Sequence, residues 1–242
     1  MIMEHQIETK LKQLHLSGMA QGWQTMVQGR QHVELSLSDG LELLLQREEE
    51  ERKNSRFLRM IRGARFRYQA SIEEIIHDPK RGINKAQISN LATCQYISKG
   101  ESILISGSTG CGKSFLASAF GHQACLHGHS VMYSNTQKFM QKTKMARTDG
   151  SIMKHFDKIA KVSLLIIDDF GLAKMGQQQQ FDLLEVIEDR HGKSSTIIAS
   201  QLPPASWFDV MSESTIADAI LDRLVHTAYH IELKGETLRK KR

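Results

Sequence analysis

Eight consecutive residues, Gly107-Ser108-Thr109-Gly110-Cys111-Gly112-Lys113-Ser114, have the spacing G-x-x-x-x-G-K-S. Glycines at 107, 110 and 112 let a backbone curl until its N–H groups face one phosphate. The helix expected from Lys113 adds the positive end of its dipole. Lys113 then meets the β- and γ-phosphates of ATP, and the Ser114 hydroxyl is placed to hold Mg²⁺. Phe115 follows directly and joins the loop as a nucleotide contact. A chance glycine-rich turn would have the same composition. It would not be expected between an apolar strand, Ile103-Leu104-Ile105-Ser106, and a helical stretch from Phe115 to Leu126, which is the setting this motif needs. Cys111 inside the loop is either incidental or a thiol favoured by the helix N-terminus.

A second run, Leu164-Leu165-Ile166-Ile167-Asp168-Asp169, is an apolar strand that ends in two acids. A buried strand beside the phosphate loop must end in a carboxylate to hold Mg²⁺ through water, and Asp168 is assigned that place. Asp169 becomes the base that orients the attacking water. About 55 residues separate Lys113 from Asp168, room for a further strand, Val131-Met132-Tyr133, between the two site-bearing strands in sequence.

The elements that position these residues follow from periodicity. Further strand-like runs are Thr196-Ile197-Ile198-Ala199 and Tyr229-His230-Ile231, with helical segments between. Strands alternating with helices predict an α/β fold, a five-stranded parallel sheet covered on both faces. The first 75 or so residues read as helical. Ser36 with Asp39 forms a capping pattern, and Glu48–Arg52 and Glu49–Lys53 are pairs four apart. A linker near Asp78-Pro79-Lys80-Arg81-Gly82 suggests a small all-helical domain over 1–75 and an ATPase domain over 76–242. The 242 residues, 40% hydrophobic and 24% charged, supply material for such a core. Cys94, Cys111 and Cys125 have no metal-ligand or redox spacing and read as reduced thiols. No apolar run reaches the roughly 20 residues that span a bilayer. The N-terminus lacks a signal-peptide pattern, so a cytoplasmic protein with no membrane partner is expected.

Two basic clusters stand out in a chain of net charge +5. One comprises Arg52, Lys53, Arg56, Arg59, Arg62, Arg65 and Arg67, with no acid among residues 52–67 and with Phe66 and Tyr68 interleaved. The other comprises Lys138, Lys142, Lys144 and Arg147, of which Lys138 and Lys142 share a helical face. Charge runs are commonly solvated faces, but so long a stretch without an acid favours DNA. Arg52, Arg56, Arg59, Arg65, Arg67, Lys138, Lys142, Lys144 and Arg147 are therefore candidate contacts. With no helix-turn-helix or zinc-finger pattern, contact with phosphates and little sequence preference is expected.

The phosphate loop, Asp168-Asp169-Phe170-Gly171, Ser200-Gln201-Leu202-Pro203 and Gly235-Glu236-Thr237-Leu238-Arg239 occur in that order. Together they resemble the IstB-like ATPases, transposition helpers of insertion sequences within the AAA+ superfamily and relatives of the DnaC helicase loaders. The resemblance covers essentially the whole chain. It implies a P-loop AAA+ core, ATP hydrolysis, homo-oligomers with ATP at subunit interfaces, and a transposase partner. It places Ser200 and Gln201 at a sensor position near the γ-phosphate and Arg223 at an arginine finger reaching a neighbour's ATP. It places Arg239 at a second sensor and offers Arg190 as another interface arginine. It also supports DNA contact by the 138–147 region. Only 19 residues follow Arg223, too few for the helical lid of most AAA+ proteins. The rival readings are a DnaC-like helicase loader, a small-molecule kinase, for which no acceptor pocket or basic lid is evident, and a scaffold that holds ATP without turnover.

Overall fold

The computed structural model describes residues 2–226 and 228–238. Its helices are α1 Ile2–Gln13, α2 Ser17–Gln28, α3 Gln31–Glu34, α4 Leu37–Ala64, α5 Lys85–Ala92, α6 Gln95–Ser98, α7 Lys113–Leu126, α8 Thr136–Thr148, α9 Ile152–Ala160, α10 Gln177–Arg190 and α11 Ser214–Val225. The strands are β1 Ile103–Gly107, β2 Val131–Asn135, β3 Leu164–Phe170, β4 Ser195–Ser200 and β5 Tyr229–Leu233. Two compact units divide between Arg59 and Met60, inside α4, so residues 60–75 go with the second unit rather than the first.

In the first unit α2 begins without a side-chain cap of its own. The buried carboxylate of Glu48, on α4, accepts from the N–H groups of Gly18 and Met19 at 2.8 and 3.1 Å. It thereby satisfies two of the N–H groups that a helix start leaves open. Glu48 also pairs with Arg52, and Glu49 pairs with Lys53, as their spacing predicts. Ser36 and Asp39 make the expected cap at the start of α4.

Helix does not continue to residue 75. α4 stops at Ala64, Arg65 turns left-handed with φ 58°, and residues 65–78 run in bends and turns. Tertiary packing overrides propensity here. The Phe66 ring lies 4.5 Å from that of His122 on α7 and 6.2 Å from that of Tyr133 on β2. Gly121 makes the room, since a Cβ there would fall 2.3 Å from the Phe66 ring.

All five strands of the second unit are parallel, in the order β2-β3-β4-β1-β5. The strand between the two site-bearing strands in space is β4, while β2 lies at the edge. Side chains alternate across the sheet. Leu104, Leu165, Ile167 and Ile198 join one core with α8, α9, α10 and α11 residues such as Phe139, Ile159, Val186 and Ile220. On the other face Ile166 approaches α7 beside Gly121.

Candidate nucleotide site and the groove beside it

Parallel strands bring their carboxyl ends to one edge of the sheet, where open α/β folds hold their ligands. The phosphate loop follows β1, Asp168 and Asp169 end β3, and Gln201 follows β4. The β3–β4 register is regular to Ile167↔Ile198 and resumes at Phe170↔Ser200. The two aspartates occupy the bulge between, a device that re-aims side chains beside sites. Asp169 has φ 55°, a left-handed backbone rare outside glycine.

The loop requires its glycines. A Cβ on Gly107 would sit 2.3 Å from the Leu233 carbonyl oxygen, and one on Gly110 2.1 Å from Thr237 Oγ1. Gly112 precedes α7 with φ 107°. Lys113 is buried, its ammonium donating to the Gly107 and Ser108 carbonyls at 2.7 and 2.8 Å. Of its three N–H donors one remains. Thr109 donates to Gln201 Oε1 at 2.7 Å, tying the loop to the end of β4. A cavity of ≈ 250 Å³ is lined by Gly110, Gly112, Lys113, Ser114, Phe115, Asp169 and Gln201, together with Tyr68, Thr109 and Leu238. Cys111 is buried under the loop. The structure thus brings Thr109, Gly110, Gly112, Lys113 and Ser114 of the predicted loop, with Phe115, together with Asp169 and Gln201 at one cavity, and Asp168 is buried next to Asp169 in the chain.

Sequence reasoning missed an apolar cavity of ≈ 220 Å³ beside it, lined by Ile75, Ile76, Ile83, Leu233 and Leu238, with Cys111 and Phe115. It shares Gly112, Phe115 and Leu238 with the first cavity. The segment at 235–238 packs on the loop, where Ser108 Oγ donates to the Gly235 carbonyl and Leu238 N–H to that of Gly110. Arg239 lies outside the described residues.

Asp168 is fully buried and hydrogen-bonded on both oxygens. Its Oδ1 accepts the Asp169 N–H at 2.8 Å, and its Oδ2 accepts from the Tyr133 hydroxyl and, at 3.4 Å, from Arg67 Nη1. Burial and then the bond to Asp168 push the Tyr133 phenol well up, so Tyr133 stays a donor. Asp169 Oδ2 accepts from Arg67 Nη1 and Asn135 Nδ2, each at 2.9 Å. Burial works against the Arg67 charge, but Asp169, Tyr68, Asp168 and Tyr133 outweigh it, and the guanidinium is raised overall. Arg67 was expected on DNA; the structure sets it on the carboxylates.

Other arginines are placed differently from expectation. Arg190 is 1% exposed. It donates to the carbonyls of Ile159 and Val162, each at 2.8 Å, to the Ser195 carbonyl and to Thr196 Oγ1. Burial lowers it to about 10, so it remains charged, and four acceptors hold it inside the fold. It is a core tie with no reach to a nucleotide or a neighbour, which corrects its assignment as an interface arginine. Arg147 pairs with the buried Asp182, joining α8 to α10. Arg223 pairs with Glu188 at 2.7 Å and lines a crevice with Gly100 and Ser102, before β1. The phosphate loop follows β1's other end, five residues on, or roughly 16 Å at strand rise. Arg223 therefore does not serve its own chain's loop.

The two basic clusters meet in part. Arg65 and Arg67 from one, and Lys138 and Lys142 from the other, line a single groove of ≈ 600 Å³ with Phe66, Tyr133, Asn135, Gln137 and Asp169. Asp169 is a wall of both the groove and the phosphate-loop cavity. Lys144 is exposed on α8. Arg52, Arg56 and Arg59 are exposed residues of the first unit.

The donor set suits Mg²⁺. Ser114 lines the loop cavity, and among the described residues its hydroxyl has no protein partner. Asp169 lines the same cavity and the buried Asp168 adjoins it in the chain, so carboxylate oxygen is at hand, and no group of three or more His, Cys, Asp or Glu side chains is gathered to cage a metal among the described residues. Few hard oxygen ligands, completed by phosphate and water, are what Mg²⁺ takes.

Comparison with known proteins agrees with this geometry. The profile of the IstB-like ATP binding proteins matches residues 9–242. The chain is 38% identical over 239 residues to a Sinorhizobium fredii (strain NBRC 101917 / NGR234) protein named as an insertion sequence ATP-binding protein, y4pL, covering 99% of this chain and 98% of that one. It is 37% identical over 207 residues to a similarly named protein of insertion sequence IS1162 from Pseudomonas fluorescens, covering 85% and 89%. Among solved structures, the DnaC helicase loader is similar with TM-score 0.57 at 17% identity, over 69% of this chain and 98% of that one. The replication initiator DnaA, bound to AMPPCP and single-stranded DNA, is similar with TM-score 0.58 at 20% identity, over 71% of this chain and about half (52%) of that one. At these identities both show the fold, the AAA+ P-loop core with its five-stranded parallel sheet. The chain belongs to the IstB-like ATP-binding protein family and is an ATPase of the AAA+ fold.

Proposed function

We propose that this ATPase binds duplex DNA through phosphates, with little sequence preference, assembles on it when ATP is bound, and assists a transposase in moving an insertion sequence. The observation that carries the reading is the groove of four cations whose wall, Asp169, is also a wall of the ATP cavity. The relatives' names supply the insertion-sequence context, whereas the likeness to DnaC concerns the fold alone. A cytoplasmic setting fits three unpaired cysteines, all buried, and the finding that no described helix is long and apolar enough to cross a membrane.

In this reading the loop N–H groups and Lys113 hold the phosphates, and the base occupies the apolar cavity under Ile76 and Leu238. Ser114 and Asp168 hold Mg²⁺, which when bound neutralises charge on the β- and γ-phosphate oxygens. Asp169 takes a proton from the water that attacks the γ-phosphorus as the bond to the β-phosphate oxygen breaks, giving ADP and phosphate. Gln201, held by Thr109, positions that water. Arg223 belongs to the neighbour's site.

DNA contact is tested by salt. Duplex affinity should fall on a log–log plot with a slope of about −0.9 for each phosphate neutralised. Lys138→Gln with Lys142→Gln should flatten the slope by about two such steps and weaken unrelated sequences alike. An unchanged slope would remove the groove from the interface, and strong preference for one sequence would contradict phosphate readout.

A further inference from the structure

Arg67 stands where two sites meet. Its Nη1 reaches both Asp168 and Asp169, while its side chain, 39% exposed, lines the groove with Arg65, Lys138 and Lys142. Both its hydrogen bonds among the described residues leave from Nη1, so the donors on Nε and Nη2 remain for a ligand. Arg65, Lys138 and Lys142 have no carboxylate partner among the described residues, and the one acid lining the groove is Asp169. A polyanion entering there meets four cations, one of which is held on the hydrolytic carboxylates.

That hold has consequences at the ATP cavity. Asp169 Oδ2 already accepts from Arg67 and Asn135, and Asp168 Oδ2 from Tyr133 and Arg67. A guanidinium on these oxygens repels a divalent cation approaching Asp168 and competes with water at Asp169. The two non-bridging oxygens of a phosphodiester can accept a bidentate pair of N–H bonds from arginine, as a carboxylate does, so it offers Arg67 an alternative partner on the groove side. Asp168 can release Arg67 without being stranded, because Tyr133 and the Asp169 N–H still satisfy it.

We infer that a nucleic-acid phosphodiester seated among Arg65, Lys138 and Lys142 draws Arg67 off Asp168 and Asp169, and that duplex DNA in the groove thereby frees the carboxylates for hydrolysis. Arg67 is a positioning residue acting through the two aspartates. The inference rests on the proposed DNA partner and on Asp169 as base, and adds the link between them. Coupling is reciprocal, so nucleotide with Mg²⁺ strengthens duplex binding by the same factor that duplex strengthens retention of the pair.

The test uses the full chain, a duplex of scrambled sequence, and inorganic phosphate at matched ionic strength. In wild type, duplex should raise hydrolysis on the order of tenfold and lower the Mg²⁺ concentration needed to retain a fluorescent ATP analogue by a similar factor. Arg67→Gln should hydrolyse without DNA at close to the stimulated wild-type rate, gain little from duplex, and still bind duplex with a salt slope reduced by about one phosphate. Arg67→Lys, which keeps a cation but not the fork, should fall between. If wild type binds duplex but the Mg²⁺ midpoint does not move, the link is overturned, whether or not the variants fold. The same holds if Arg67→Gln lowers the basal rate and keeps full stimulation. If inorganic phosphate stimulates as well as duplex does, the occupant is the free anion and the duplex assignment is overturned. Wild type that binds no duplex sinks the DNA reading itself.

Discussion

Arg223→Ala is expected to bind ATP normally and to hydrolyse it about 10³–10⁵ times more slowly than wild type, the usual range for an arginine finger. Among the described residues, Lys113 is the basic residue lining the chain's own phosphate-loop cavity. Arg67 is held on the carboxylates, and Arg190 is locked in the core. Arg223 lies before the amino end of β1, on a partly exposed pair with Glu188. Such pairs are worth little, so a neighbour's γ-phosphate can take the guanidinium from Glu188. Mixing Arg223→Ala with Lys113→Ala, each inactive alone, should restore part of the rate, because some interfaces then join an intact loop to an intact finger. Normal hydrolysis by Arg223→Ala, or no rescue although mixed assemblies form, would place the charge elsewhere.

The second large effect is expected at Asp169. Asp169→Asn should keep ATP affinity and lose about 10²–10⁴ in turnover, the range for a positioned base. The amide keeps the size of the carboxylate and an oxygen for Asn135 and Arg67, while Asp168 remains at the Mg²⁺ position. Single-turnover hydrolysis measured beside equilibrium ATP binding separates the two effects. A variant with wild-type turnover would show that the left-handed backbone and three-way hydrogen bonding of this residue serve the bulge and not the chemistry.

The loop and Asp168 were legible because each is a local pattern, and a parallel sheet necessarily gathers strand ends. The strands run one to three residues beyond their apolar runs, since polar ends such as Ser134-Asn135 still pair with β3. Arg67 was legible as a base but not as the partner of Asp168 and Asp169, which lie 101 and 102 residues away. No spacing rule reaches that far. Asn135 caps α8, accepting from Gln137 N–H at 2.9 Å, and its amide reaches Asp169 because β2 lies beside β3. Arg190 was offered by the resemblance as an interface arginine. It is instead drawn inward by carbonyls converging from α9, its following loop and β4, a non-local arrangement that composition does not encode.

ATP in the Gly107–Ser114 loop is expected to govern sequence-tolerant binding of duplex DNA. The most direct measurement is fluorescence anisotropy of two unrelated duplexes titrated with the full chain, with ATP, with ADP, and with Lys113→Ala in ATP. Lys113→Ala loses the ammonium that meets the phosphates, and one charge-assisted bond of about 1.5–3 kcal/mol implies a loss of ATP affinity of about ten- to a hundredfold. Both duplexes should bind tightly with ATP and weakly with ADP or with Lys113→Ala. Equal affinity in all three conditions, or tight binding of one duplex only, would contradict it.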